Sequence, residues 1–300
     1  MIFTVFTPTF NRAHTLHRVY NSLCAQTFSD FEWVVVDDGS EDNTESLIAQ
    51  WTKEADFPVL CKKQKNRGKH VAINHGVALA KGELFIIADS DDEFLPDALS
   101  IFYDEWMAIE PNQKEKFTGV TGLCITTDNE IIGNKFPQDI FDSTPAEAYY
   151  LHGIRGDKAG FHRTEVLRQY PFPEIPNHKF IAESIIWNRI GKQFLTRYIN
   201  LPVRKVYTDG EDHLTEINPT LRSQNRIFYS IIVNEDINFF FKAPITMLKL
   251  ATQGARFSFH QQDRIIEQLS RLDNLPAKIL WISALPLAYF IYLFDKVAAR

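Results

Sequence analysis

Three hundred residues, 45% apolar and 23% charged, describe an ordinary globular chain long enough for a sizeable core, either one large α/β domain or a domain with an appendage. A formal charge of −6, from 32 Lys and Arg against 38 Asp and Glu, argues against a general nucleic-acid surface, which needs clustered cations to displace counterions from phosphate. Three scattered cysteines, Cys24, Cys61 and Cys124, predict free thiols in a reducing compartment, and a strand-like start at 2–7 without signal-peptide features makes the expected location cytoplasmic.

In chain order, the first hundred residues alternate apolar strand-like runs with helical patterns: 2–7 then 12–27, 31–37 then 42–53, 57–63 then 69–81, and 84–88 then 96–109. That rhythm predicts a mostly parallel, Rossmann-like sheet with helices on both faces. Leu16, Tyr20 and Leu23 recur at helical spacing, as do Leu47, Ile48 and Trp51, and both stripes are expected in the core. Pro96 suits the first turn of the fourth helix, ahead of Leu99, Phe102, Tyr103 and Trp106. From 111 to 225 short strands and loops rich in Pro, Gly and His follow, expected to form a second, pocket-shaping half of the same domain as 1–110. Residues 226–300 return to helical spacing, with a polar helix near 255–272 and an uncharged run at 279–294.

The second strand ends in Val36-Asp37-Asp38-Gly39-Ser40, two carboxylates followed by a turn glycine and a serine read as a helix N-cap. Ligands of open α/β sheets bind at such strand ends, where Asp38 could accept a hydrogen bond from a base or ribose; a plain capped turn is the competing reading. The fourth strand ends in Asp89-Ser90-Asp91-Asp92-Glu93. Four carboxylates in five residues repel unless something positive lies among them, and a Mg2+ or Mn2+ ion, which usually takes one or two protein carboxylates plus substrate phosphates, is the natural answer; a solvated acidic turn is the competing reading. Between the two lies Asn66-Arg67-Gly68-Lys69-His70, a glycine turn opening a helix, where Arg67, Lys69 and free N–H groups suit a diphosphate; solvated surface charges are the competing reading.

Taken together, Thr7-Pro8-Thr9-Phe10-Asn11-Arg12, Gln26-Thr27-Phe28, Val36-Asp37-Asp38-Gly39-Ser40, Asn66-Arg67-Gly68 with Asn74 and Gly82-Glu83, and Asp89-Ser90-Asp91-Asp92 resemble the family-2 glycosyltransferases of the GT-A fold. The resemblance implies an inverting hexosyltransferase using a nucleotide-sugar, commonly a UDP-sugar, in surface polysaccharide synthesis. Carried over by position, it puts Pro8, Phe10 and Asp38 beside the nucleobase, counts Arg12 among the donor-binding residues, gives Asp91 to the ribose or phosphate, and gives Asp92 with Asp91 or Asp89 to the cation through an Asp-X-Asp pattern.

An inverting displacement needs a base on the acceptor hydroxyl. Glu183, on the apolar side of a helical pattern with Ile186, Trp187 and Ile190, is the expected base, although the acidic pair usual in the family is here Glu183-Ser184. Asp157, in Gly156-Asp157-Lys158, is held in reserve, and His213 is a further candidate for the cation or phosphate. The expected partners are the donor, a glycan or lipid-linked glycan acceptor, and no nucleic acid. The run 279–294 is short for a membrane span and contains Pro286, so it is expected either at a membrane interface, with Trp281, Tyr289 and Tyr292 at the headgroups, or packed on the chain itself or a partner subunit. Two other classes stay open: a sugar-phosphate nucleotidyltransferase, and a non-enzymatic magnesium-binding receiver-like module, whose acidic pair should close the first strand rather than the second.

Overall fold

A computed structural model describes residues 1–175, 178–179, 181–208 and 223–298 of the chain. Four parallel strands form its amino-terminal part: β1 (Phe3–Thr9), β2 (Phe31–Asp37), β3 (Val59–Lys63) and β4 (Leu84–Ile87), in the order β3-β2-β1-β4. Every residue of β1 and β2 is buried, as the uninterrupted apolar runs require of strands covered on both faces. Helices α1 (His17–Cys24), α2 (Thr44–Glu54), α3 (Lys69–Leu79) and α4 (Ala98–Met107) alternate with the strands. Trp33 is fully buried, with its indole N–H donating to Thr7 Oγ1 at 2.9 Å, while Tyr20 stacks on Trp51. Gly76 lets α3 lie on β1, since a Cβ there would fall 2.2 Å from the Phe6 ring. Pro96 lies in the turn before α4, outside the helix, and Asp97 is the N-cap.

Beyond β4 the sheet becomes mixed. β5 (Glu93–Phe94), β6 (Phe117–Ile125), β7 (Ile140–Ser143), β8 (Lys158–Arg163) and β9 (Leu195–Lys205) extend it in the order β4-β8-β6-β9-β5, with β7 also paired to β9. β8 runs antiparallel to both β4 and β6, and β9 runs parallel to β6 with register shifts. Opposite ends of the 11-residue β9 carry β7 and β5. Helices α5 (Pro145–Tyr150), α6 (Thr164–Gln169) and α7 (Ser184–Gly191) complete this part.

The chain divides into two compact units, Met1–Lys179 with Ile186–Gly210, and Phe180–Ile185 with Glu211–Arg300. In the second, α8 (Arg226–Glu235), α9 (Pro244–His260), α10 (Ile265–Ser270) and α11 (Leu275–Ala298) are described. The polar stretch expected as one helix near 255–272 is the end of α9, a turn with Gln262 at positive φ, and α10. The uncharged run lies inside a 24-residue helix that continues through Pro286, long enough to cross a membrane by length and composition, with 28% of its most apolar window buried. Trp281 is not at an interface: it is fully buried, donates to Gln268 Oε1 at 3.1 Å, and approaches α9 where Gly254 has no side chain to block it. Tyr289 and Tyr292 pack on Phe259.

Candidate functional site

β1 lies between β2 and β4, so the loops that follow these three strands share the carboxyl edge of the parallel sheet. The loop after β1 is hooked to the loop after β2. Asn11, at φ 53°, donates its N–H to Ser40 Oγ at 2.8 Å and accepts from Glu41 N–H through Oδ1 at 2.9 Å, while Ala13 N–H donates to Asp42 Oδ2. Ser40 is thereby used as a tie between loops; the helix N-cap is Asn43. On this rim Pro8 is buried, Phe10 is 44% exposed, and Arg12 is half-buried and engaged with neighbours.

Asp38 is buried and turned toward its own chain. Its Oδ1 accepts from Gln64 Nε2 at 2.7 Å and from Arg67 N–H at 2.8 Å, and its Oδ2 accepts from Gly68 N–H at 2.7 Å. The carboxylate therefore builds the turn that opens α3, in addition to whatever lone-pair capacity it keeps for a ligand. Gly68 adopts φ +98°, and an added Cβ would lie 2.0 Å from the Lys179 carbonyl oxygen. Gln64 also meets His75 Nδ1, and Arg67 pairs with Glu174, whose other oxygen accepts from Asn74 at 3.1 Å. Asn74 further clamps Phe172 through its N–H and carbonyl. His70, in the first turn of α3, is buried, and burial pushes its imidazole below the ordinary value, so it is neutral near pH 7.

The acidic turn after β4 does contain positive charge, and the chain supplies it. Lys69 pairs with Asp89 Oδ1, and Arg204 Nη1, from β9, donates to Asp89 Oδ2 at 3.0 Å. Burial alone would raise the Asp89 carboxyl, but these two cations outweigh it and hold it at about 2. Asp92 is buried. That burial pushes its carboxyl up to about 7, against the pull of Arg204 at 3.5 Å and with the push of Asp89 and Asp91. Asp92 Oδ1 also accepts from Tyr207 N–H at 3.2 Å, and the Tyr207 ring lies 4.0 Å below the Arg18 guanidinium, which itself donates to the Asp91 carbonyl. Among the described residues the Asp91 carboxylate has no hydrogen-bond or ion-pair partner. The positive charge expected among these carboxylates is thus supplied in part by the chain itself, through Arg204 and Lys69.

The donors that remain suit a hard ion only in part. Among the described residues no three His, Cys, Asp or Glu side chains converge on a point that could hold a metal. Magnesium-type ions usually take one or two protein carboxylates plus substrate phosphates, and the Asp91 carboxylate and Asp92 Oδ2 are oxygens of this turn that accept no hydrogen bond among the described residues. Of the other expected residues, Asp157 is exposed just before β8. Because Phe161 of β8 faces Ile86 of β4 in antiparallel register, Asp157 returns to the edge where β4 ends, and both it and Asp92 bear on the Cys124 thiol. Glu183 stands half-buried at the head of α7, in the segment that groups with the second unit, and is engaged with neighbours. His213 lies outside the described residues. Sequence reasoning missed Arg204, Gln64, Glu174, Arg18 and Tyr207; Gln64 stands just before Asn66-Arg67-Gly68, whereas Arg18 on α1, Glu174 in the loop after α6, Arg204 on β9 and Tyr207 just beyond it come from distant parts of the chain.

A parallel sheet whose second and fourth strands end in aspartates, with a basic glycine turn between them and antiparallel strands appended beyond, defines a GT-A type α/β protein. Residues 4–113 match the family described as Glycosyl transferase family 2. A GalNAc(5)-diNAcBac-PP-undecaprenol β-1,3-glucosyltransferase of Campylobacter jejuni is 32% identical over 123 residues, 41% of this chain and 38% of that protein. The fold is similar to Staphylococcus aureus TarS 1–349 in complex with UDP-GlcNAc, at TM-score 0.56 and 20% identity over 96% of this chain and 80% of that one. It is similar also to the mannosyltransferase PcManGT of Pyrobaculum calidifontis in complex with GDP-Man and Mn2+, at TM-score 0.56 and 19% identity over 98% and 84%. The chain spans about a third of two curated relatives it matches, 31% and 38% of their lengths. The family match is confined to residues 4–113, and the solved structures extend the likeness in fold to nearly the whole chain.

Proposed function

We propose that the chain moves a sugar from a nucleotide-sugar donor to an acceptor hydroxyl with inversion. One observation carries the reading: within the family-matched residues, Asp38, the Arg67–Lys69 turn and Asp89, Asp91 and Asp92 meet at one carboxyl edge of one sheet. Exposed Phe10 offers a ring to the nucleobase beside Pro8 and Asp38, with Arg12 on the same rim, and Arg67 and Lys69 at the start of α3 suit the diphosphate. A Mg2+ or Mn2+ ion held by Asp91 and Asp92 with phosphate oxygens would supply charge stabilisation to the departing diphosphate. Glu183 is the proposed base for the acceptor hydroxyl, and Asp157, at the β4 edge, the alternative. A UDP-sugar is the preferred donor and a glycan or lipid-linked glycan the preferred acceptor, in surface polysaccharide synthesis on the cytoplasmic side of a membrane.

A thermal-shift screen of UDP- and GDP-sugars with Mn2+ tests the reading, because a true donor stabilises in proportion to the logarithm of its concentration over its dissociation constant. No stabilisation by any nucleotide-sugar, with pyrophosphate released instead from a nucleoside triphosphate and a sugar phosphate, would replace it with a nucleotidyltransferase. We propose further that the outer face of α11 rests on the acceptor-bearing membrane. Ile279, Ile282, Leu287, Phe290, Leu293 and Phe294 are exposed on it, Lys278 and Lys296 flank it, and Asp295 is drawn into pairs with Arg256 and His260. Flotation with anionic phospholipid vesicles, lost on joint Phe290→Asp and Phe294→Asp substitution, is the expected result; wild-type protein that stays with the soluble fraction would end the proposal.

A further inference from the structure

Arg204 belongs to no motif of the sequence, yet it is the most deeply placed cation at the acidic turn. Its side chain is only 10% exposed, against 31% for Lys69. From β9 it donates Nη1 to Asp89, while its Nε, buried and without a hydrogen-bond acceptor, stands 3.5 Å from Asp92 Oδ2. The three aspartates are therefore not equivalent. Asp89 has an oxygen on each of two cations, Asp92 is held on one oxygen by Tyr207 N–H and faces Arg204 only loosely with the other, and the Asp91 carboxylate has no hydrogen-bond or ion-pair partner among the described residues. Lys69, on a flexible and partly exposed stem, can exchange Asp89 for a phosphate. Arg204 cannot leave without stripping a buried guanidinium of its counter-ions, which costs far more than the pair contributes.

We infer that Arg204 is a positioning residue that stands where a resident ion would: it withdraws Asp89 from metal ligation and leaves Asp91 with Asp92 Oδ2 for a divalent ion that arrives bound to the donor diphosphate. Lys69 and Arg204 set against Asp89, Asp91 and Asp92 leave at most one net negative charge, with the Arg18 guanidinium at the Asp91 carbonyl as well, a weak attraction for a free divalent ion. An ion already carried on a diphosphate brings its own oxygens and finds the two it lacks. This rests on the reading of the edge as a nucleotide-sugar site.

The test is a titration of the full chain with Mn2+, following the free-ion electron paramagnetic resonance signal, alone and with UDP or GDP. Wild-type protein should bind Mn2+ at least about ten-fold more weakly without nucleotide than with it, and Arg204→Met should tighten nucleotide-free binding by about ten-fold or more, because a like charge that repels the ion is removed and Asp89 is released. Arg204→Lys should resemble the wild type. Arg204→Met that retains its circular dichroism and binds Mn2+ no more tightly than wild type would overturn the inference, as would wild-type protein binding Mn2+ equally well with and without nucleotide. Should Arg204→Met fail to fold, Asp89→Asn decides: unchanged Mn2+ affinity in the presence of nucleotide supports the inference, and a ten-fold loss overturns it. If neither nucleotide binds at all, with or without Mn2+, the donor-site reading itself fails and the inference falls with it.

Discussion

Asp38→Asn changes one atom of a buried side chain and removes its charge, so its effect can be worked out from three hydrogen bonds. The carboxylate accepts from Gln64 Nε2, Arg67 N–H and Gly68 N–H. In whichever orientation the amide settles, its NH2 faces at least one backbone N–H that has nowhere else to turn. Losing a charge-assisted bond and leaving a buried donor unpaired costs about 3 kcal/mol, against near neutrality for an exposed Asp→Asn change. If the turn and the first unit unfold together, the melting temperature falls by about 6–12 °C, at roughly 2–4 °C per kcal/mol for a unit of this size. If the turn opens locally, melting moves little but the amides of Arg67 and Gly68 exchange with deuterium about 100-fold faster. Nucleotide affinity falls in either case, since Arg67 and Lys69 are no longer held at the edge. A variant that melts within a degree of wild type and protects both amides equally would refute the assignment of Asp38 as the organiser of this turn.

Gly68→Ala should lower stability by about 2 kcal/mol or more, because φ +98° disfavours any side chain and the new Cβ must displace the Lys179 carbonyl; unaltered denaturant unfolding would contradict the described turn. His162, stacked on Trp187, has its imidazole pushed by burial down to about 3. The unfolded chain takes up that proton near pH 6.5 and the folded chain only near 3, so stability falls as pH drops through that window, by up to about 2 kcal/mol at pH 5. His162→Phe should flatten the difference between urea unfolding at pH 7 and pH 5, and parallel profiles for the two proteins would count against the buried neutral ring. Glu183→Gln should lower sugar transfer by roughly 100-fold with donor affinity kept, as expected of a lost general base. If Asp157→Asn shows that pattern and Glu183→Gln does not, the base is Asp157.

In the second unit, α11 shows how tertiary contacts reassign residues that look alike in sequence. Trp281 and Phe290 both sit in one uncharged run, but Trp281 is fully buried against α9 and Phe290 is 59% exposed. Helical rotation alone separates them, and only the position of α9 decides which face is covered. The same holds for Pro286: sixteen uncharged residues suggest a short segment, whereas the helix extends one turn before and beyond them because its flanking residues, Asp295 among them, find partners on α9.

What the sequence by itself determined is whatever depends on neighbours a few residues away. β2 matches the expected 31–37 at both ends, and the acidic turns after β2 and β4 were legible because apolar runs make buried strands and Asp-Gly or Asp-Ser steps end them. Tertiary structure alone decided what those aspartates do. Asp89 and Arg204 are 115 residues apart, and only the pairing of β9 with β6 and β5, with its shifted register, carries the guanidinium to the carboxylate. Asp38 turns inward because the Gln64–Gly68 segment returns to it with three donors. A charge's position along the chain is set locally, whereas its counter-charge is set by which strands come to lie side by side, and that follows from the packing of the whole sheet.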